Sequence, residues 1–374
     1  MTSAAPISSP TWRNFDPLLL VAALALTGYG ALLIYSASLP RGAEGVVISE
    51  PVVRHIATAA AGAAAMFVAA RVDYRALDVV AWLAYGFGLL ILAAVLVVGS
   101  EQFGSRRSFD LGFTLIQASE IAKLLTIVGL AKLMSDYRER MTEWPIFLLS
   151  LGLATLPALL VFVEPDAGSA VVFLILWAVM AAFAGARIRQ FLILGVVAVA
   201  LIPVGLAVGV QDYQEERIRI FIDPTEDAQG AGFNVLQAET SVGSGGLLGK
   251  GLTKGTQTQL DFLRTQTTDF IFSVLGEELG FVGAMVLFAL FLLLILRGLR
   301  AIMRATDPFG QLLVAGIITL IAVQAFIAVG VNIRIVPVTG IPLPFISVGN
   351  ASLLVLFVAL GIIQSVLLHR QEGR

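Results

Sequence analysis

Residues 267–296 read TTDFIFSVLGEELGFVGAMVLFALFLLLIL. A hydroxyl-rich turn ends on Asp269, glutamates follow at 277 and 278, and no further charge occurs before Arg297. About 20 apolar residues cross a bilayer. This stretch is therefore a spanning helix longer than the membrane requires, and its first turns, with Asp269, project into a cavity at the membrane surface. Upstream lies a long polar segment with glycines at 243, 245, 246, 249, 251 and 255. A carboxylate at the mouth of a membrane helix, behind a loop of backbone donors, points to chemistry at a membrane surface. The plainer reading is that Thr267, Thr268 and Asp269 cap the helix, where an acid suits the dipole.

The rest of the chain agrees with a membrane setting. Of 374 residues, 58% are hydrophobic and only 13% charged, against roughly 25% charged in soluble domains; mean hydropathy is +0.91. A net charge of −2 implies no nucleic-acid partner. With no cysteine, disulfides, thiolate metal sites and thiol nucleophiles are all removed.

Ten apolar stretches qualify as spans: 17–37, 52–70, 77–99, 113–134, 145–163, 168–185, 188–210, 270–296, 309–332 and 347–368. The expected fold is thus an all-α polytopic membrane protein of one domain, 1–374, with residues 1–12 as a disordered tail and the first span as an uncleaved anchor. One set of short connections carries Arg71, Arg75, Arg138, Arg140, Arg187, Arg189, Arg297, Arg300 and Arg304, among others. The other set carries only Arg41, Arg54, Arg106, Arg107 and Arg334. The positive-inside rule therefore places both termini in the cytoplasm. One long loop, 211–268, then lies outside, between the seventh and eighth spans. Within it, 213–222 could prolong the seventh helix as far as Asp223-Pro224, and 235–242 could form a short interfacial helix.

Several ionisable groups have two readings. Glu120 and Lys123 share one face of the fourth span, either as a self-satisfied pair or as walls of a polar cavity. Glu277 or Glu278 could reach Lys123 or an arginine. Pro165-Asp166 before Gly168 reads as a helix-initiating turn. Arg106 and Arg107, with Arg217, Arg219, Lys250 and Lys254, offer phosphate contacts or a solvated surface. The glycine run exposes anion-binding donors or acts as a hinge. It follows no strand, so a nucleotide fold, and with it an organic cofactor, is excluded. His55 and His369 fall on opposite sides of the membrane and define no zinc site.

These residues occur in blocks that resemble the SEDS family (shape, elongation, division and sporulation), the group of RodA and FtsW. Gly104-Ser105-Arg106-Arg107, Leu111-Gly112 and Gln117-Ala118-Ser119-Glu120-Ile121-Ala122-Lys123-Leu124 are similar to one block, and Glu164-Pro165-Asp166-Ala167-Gly168-Ser169 to a second. Residues 243–257, 268–272 and 276–280 resemble the most specific region, and 337–347 (PVTGIPLPFIS) the C-terminal signature. Ile341-Pro342-Leu343-Pro344 leans toward the RodA branch. Departures include Ser108, Ala118, Arg264, Thr267, Ala328, Val348 and Asn350.

The resemblance implies a peptidoglycan glycosyltransferase of the bacterial cytoplasmic membrane that polymerises lipid II at the outer face, partnered by a class B penicillin-binding protein. In that chemistry an acceptor hydroxyl attacks the anomeric carbon of a donor whose leaving group is a lipid pyrophosphate. Asp269 is the expected base or orienting group. Arg106, Arg217 and Lys250 are the expected pyrophosphate contacts, Glu120 and Lys123 shape the cavity, and Mg²⁺ or Mn²⁺ could assist the leaving group. The rivals are a lipid-linked precursor flippase and a scaffold that activates a transpeptidase.

Overall fold

The computed structural model describes residues 11–39, 48–102, 105–110, 115–208, 212–227, 230–260, 262–263 and 265–370; for 101, 102, 105, 106, 201–208, 212–214, 231 and 350 it describes the backbone only. Its helices are α1 (Pro17–Ala37), α2 (Glu50–Arg71), α3 (Arg75–Val79), α4 (Ala81–Val98), α5 (Ala118–Asp136), α6 (Trp144–Val163) and α7 (Ala167–Phe183). They continue with α8 (Ile188–Val208), α9 (Asp212–Ile222), α10 (Ala231–Ser244), α11 (Thr256–Gln259), α12 (Ile271–Arg304), α13 (Pro308–Asn332) and α14 (Asn350–Leu368). Seven of these are long and apolar enough to cross a membrane, and α7 and part of α8 are shorter apolar helices. Exposed residues such as Leu83, Leu90, Val97, Leu159 and Met303 form the apolar exterior that lipid tolerates and water does not.

Local chemistry sets the helix starts. Asp16 accepts from the N–H groups of Leu18 and Leu19 ahead of Pro17. Asp307 does the same for Gly310 ahead of Pro308. An acid at N-cap and a proline at N1 satisfy or remove donors that the helix leaves orphaned. The most buried helices are α13 and α14. Glycines let backbones approach there: a side chain at Gly62 of α2 would strike Phe357 of α14, and one at Gly361 would strike the Met66 carbonyl.

Three expectations are corrected. The fold is not wholly helical: Ser100–Gln102, Ser105–Asp110 and Leu115–Gln117 form an antiparallel sheet, β1-β2-β3, so the fourth span starts at Ala118 and not at 113. The tail ends earlier than residue 12, because Thr11 donates to the Leu368 carbonyl and Trp12 opens a 3-10 turn; residues 1–10 lie outside the described residues. Residues 212–222 are helical, with the junction to α8 at 209–211 outside the described residues, and the short interfacial helix is longer than 235–242, covering Ala231–Ser244.

The glycine run is neither hinge nor anion nest. At Gly280 (φ +63°) α12 breaks, and the loop fills the break. Lys250 and Gly251 donate backbone N–H bonds to the carbonyls of Glu277 and Glu278, both at 2.9 Å. Phe281 and Val282 donate to the carbonyls of Gly246 and Leu247 at 2.9 and 3.0 Å. A Cβ on Gly245 or Gly249 would sit 1.8 or 2.1 Å from a carbonyl of α12. Only glycine permits that approach, and these four bonds give backbone groups freed by the kink a partner in the loop.

Candidate active site

Asp269 lies in the turn just before α12, partly exposed. Its backbone is clamped. The carbonyl of Thr267 accepts from the Val348 N–H at 2.9 Å, that of Thr268 from the Ser347 hydroxyl at 2.6 Å, and that of Asp269 from Asn332 Nδ2 at 2.8 Å. Asn332 Oδ1 in turn accepts from both the N–H and the hydroxyl of Ser273. Three carbonyls at a helix start are thus tied to α13 and to the segment before α14, which fixes where the carboxylate points. The capping role expected of Thr267 and Thr268 is not what holds this turn: α12 has no side-chain cap.

Around the carboxylate stand groups from distant parts of the chain. Burial raises the Asp269 pKa, while the Thr268 hydroxyl, Arg107 and Arg217 lower it and Asp166 raises it. Arg107 comes from β2. Arg217 comes from α9, and its guanidinium donates to the Val338 carbonyl at 3.1 Å. Asp166 caps α7 by accepting from the Ser169 N–H at 2.9 Å and takes a second bond from Gln117 Nε2 at 3.2 Å. The helix-initiating reading of Asp166 holds, and the same side chain also faces the site. A carboxylate raised by burial and flanked by two guanidiniums is suited to accept a proton near an anion.

A groove of about 770 Å³ opens beside these groups, lined by Phe162, Val171, Ile175, Ala322, Val323, Phe326 and Ile327, with Arg217 and Thr339 as its polar members. Its size suits a lipid chain or small ligand, and its polar end adjoins the site. A chain in this groove would bring an attached anionic head to Arg217.

The other expected site residues are placed differently. Lys250 is engaged in an ion pair with Glu277 at 2.8 Å and also donates to Thr256. Glu277 further accepts from the N–H of Gln257 and from the N–H and hydroxyl of Thr258. Lys250 is therefore a brace of the loop and not a free phosphate contact. Glu278 accepts from Ser36 of α1 at 2.7 and 2.6 Å, so neither glutamate reaches Lys123. Lys123 is fully buried and bonds Glu120 at 2.5 Å. Glu120 also accepts from Gln324 of α13 and Ser352 of α14. This is the self-satisfied reading, an ionic lock between three helices. The side chain of Arg106 lies outside the described residues. Asn332 carries no signal in the linear sequence, and the C-terminal signature that includes Ser347 does not show what it holds, because their partners are 63 and 79 residues away.

Fold and site together define a multi-span helical protein with an acid–arginine centre beside a groove that opens on its apolar flank. The family model FTSW_RODA_SPOVE, described as "Cell cycle protein", matches residues 17–372. The chain belongs to this family. It is 36% identical to the peptidoglycan glycosyltransferase MrdB of Escherichia coli (strain K12), over 96% of this chain and 95% of that protein. It is also 36% identical to a probable peptidoglycan glycosyltransferase FtsW of Geobacter metallireducens, over 95% of each. Among solved structures, one described as "Structural coordination of polymerization and crosslinking by a peptidoglycan synthase complex" matches with TM-score 0.82 and 28% identity, covering 96% of this chain and 99% of that one.

Proposed function

We infer that the chain is a peptidoglycan glycosyltransferase, a multi-pass protein of the bacterial inner membrane that joins lipid II units into glycan strands. The observation that carries the mechanism is the clamped turn at Asp269, whose carboxylate feels the charges of Arg107 and of Arg217, the latter a polar member of the apolar groove. The lipid chain of a donor lies in the groove and its pyrophosphate meets Arg217 and Arg107. The acceptor hydroxyl forms a bond to the donor's anomeric carbon while the bond from that carbon to the pyrophosphate oxygen breaks. The electron pair leaves with the pyrophosphate, the guanidiniums balance its charge, and the hydroxyl proton passes to Asp269.

Ten helices, α1, α2, α4 to α8 and α12 to α14, are proposed to span the membrane within one domain, both termini cytoplasmic and residues 211–268 outside. The divalent cation fits best as a companion of the substrate. Among the described residues no three His, Asp or Glu side chains converge as a metal cage, and Mg²⁺ commonly binds through substrate phosphates and water. A class B penicillin-binding protein is proposed as partner, in line with the complex named for the matching structure. The elongation role rests on the Ile341–Pro344 motif; both branches align at equal identity.

The experiment is glycan synthesis from purified lipid II. Asp269→Asn, folded and membrane-inserted, should lose about 10²-fold or more of the rate, the usual contribution of a general base. Parental turnover in that variant would overturn the assignment.

A further inference from the structure

The mechanism leaves one carboxyl at this site without a task. Glu164 closes α6, its N–H bonded to the carbonyls of Leu160 and Val161. It is 1% exposed, and neither carboxyl oxygen has a hydrogen-bond partner among the described residues. A buried polar group left unpaired costs about 1–3 kcal/mol, and native structures keep few. A structural cap or ion pair would use these oxygens, and among the described residues none bonds to them. A second orphan lies nearby: the Thr339 hydroxyl, also buried without a partner. Thr339 lines the groove and packs on Gly168 in the first turn of α7, four residues along from Glu164.

The charged groups that act on Glu164 are Asp166, two residues on, and Arg107 from β2. The same two act on Asp269, together with Arg217. Glu164, Asp166 and Asp269 cannot all ionise cheaply in a desolvated place beside the one guanidinium, Arg107, that acts on both Glu164 and Asp269. Glu164 is the one that yields: burial first, then Asp166, push it up to about 8 against the pull of Arg107. At neutral pH it is mostly the neutral acid, with one O–H donor and one acceptor oxygen.

We propose that Glu164 is a substrate-binding residue whose neutral carboxyl donates to a pyrophosphate oxygen of the lipid-linked donor, with the Thr339 hydroxyl as a second contact. This deepens the glycosyltransferase reading and rests on it. A hydrogen bond from a neutral acid to an anionic oxygen is short and strong. A third carboxylate at that point would repel the anion. Glu164 thus admits a doubly charged head beside two acids, and its ionisation closes the site.

The test is equilibrium binding of lipid II to the full chain in nanodiscs, between about pH 6 and 9, in an Asp269→Asn background so that no turnover intervenes. Binding should weaken as pH rises through about 8. With Glu164→Gln added, which keeps a neutral donor and acceptor, that alkaline loss should disappear. With Glu164→Leu added, binding at neutral pH should be about tenfold weaker than the parent's, the scale of one lost hydrogen bond, and should show no alkaline loss. An infrared band of a protonated carboxyl, present at neutral pH and absent from the Gln variant, gives a readout free of any ligand. An unchanged alkaline loss in the Gln variant, or parental affinity in the Leu variant, overturns the proposal. If the parent chain made no polymer while these profiles held, the failure would fall on the glycosyltransferase reading instead.

Discussion

Asn332 Nδ2 donates to the backbone carbonyl of Asp269 at 2.8 Å, so the last residue of α13 holds the residue that precedes α12. The same amide serves Ser273 and Ala328, which makes it a four-way junction behind the site. Asn332→Ala would strand buried donors and acceptors at about 1–3 kcal/mol each and release the turn that aims the carboxylate. Small misplacements of a catalytic group cost about 10²-fold. The expected result is a fall in kcat of roughly 10- to 100-fold with a smaller change in KM, measured by lipid II polymerisation, with a lower melting temperature. A variant that melts earlier yet polymerises at the parental kcat would reduce Asn332 to a purely structural role.

The acid limb of the pH–rate profile is the second prediction. A general base works deprotonated, so the rate falls as pH drops through its pKa. Burial raises the Asp269 pKa, so the limb should lie above the ordinary aspartate range. Arg107 and Arg217 pull it down, and Arg107→Gln or Arg217→Gln should therefore shift the limb to higher pH. A limb that stays in place, or moves to lower pH, would remove these guanidiniums from the electrostatics of the base.

Much of this was legible in the chain. Hydropathy marks the long helices because each must span with about 20 apolar residues, and a lone acid at the mouth of a long span marks Asp269. Arg107 and Arg217 stood out as candidate phosphate contacts, but that they meet Asp269 together with Asp166 and Asn332 was not legible, since separate elements bring them there only through packing. Lys250 was misread for a related reason. A lysine between glycines looks free in one dimension, while its acidic partner Glu277 lies 27 residues on. The β-sheet escaped because 113–117 is apolar enough in sequence to extend a helix, and the pairing of 115–117 with 108–110 decides against it.

The loop–helix junction yields the third prediction. Lys250 braces Glu277, Gly249 holds a positive φ against the Glu278 carbonyl, and Gly280 holds one against the Gly249 nitrogen. Lys250→Ala should lower thermal stability while leaving KM for lipid II within about twofold, whereas a phosphate contact would raise KM about tenfold or more. Gly280→Ala should be far worse, because a methyl group there meets the Gly249 nitrogen at 2.3 Å. Recovery of folded protein and its melting temperature check both.

Glu164 supplies a stability prediction separate from its binding role. Its folded pKa, about 8, is raised from an ordinary 4.5 by burial and by Asp166, so the folded state holds this proton more tightly than the unfolded state does. Stability from that proton is complete below about pH 4.5 and is lost progressively as pH rises to about 8. Glutamine carries no such dependence. Glu164→Gln should accordingly match the parent in acid and exceed it at alkaline pH, by a few kcal/mol at most given about 1.4 kcal/mol for each pKa unit. Melting curves of the two proteins in one detergent, taken from acid to alkaline pH, should diverge as pH increases. Parallel curves would mean that the buried carboxyl is ionised throughout and finds its compensation in the fold.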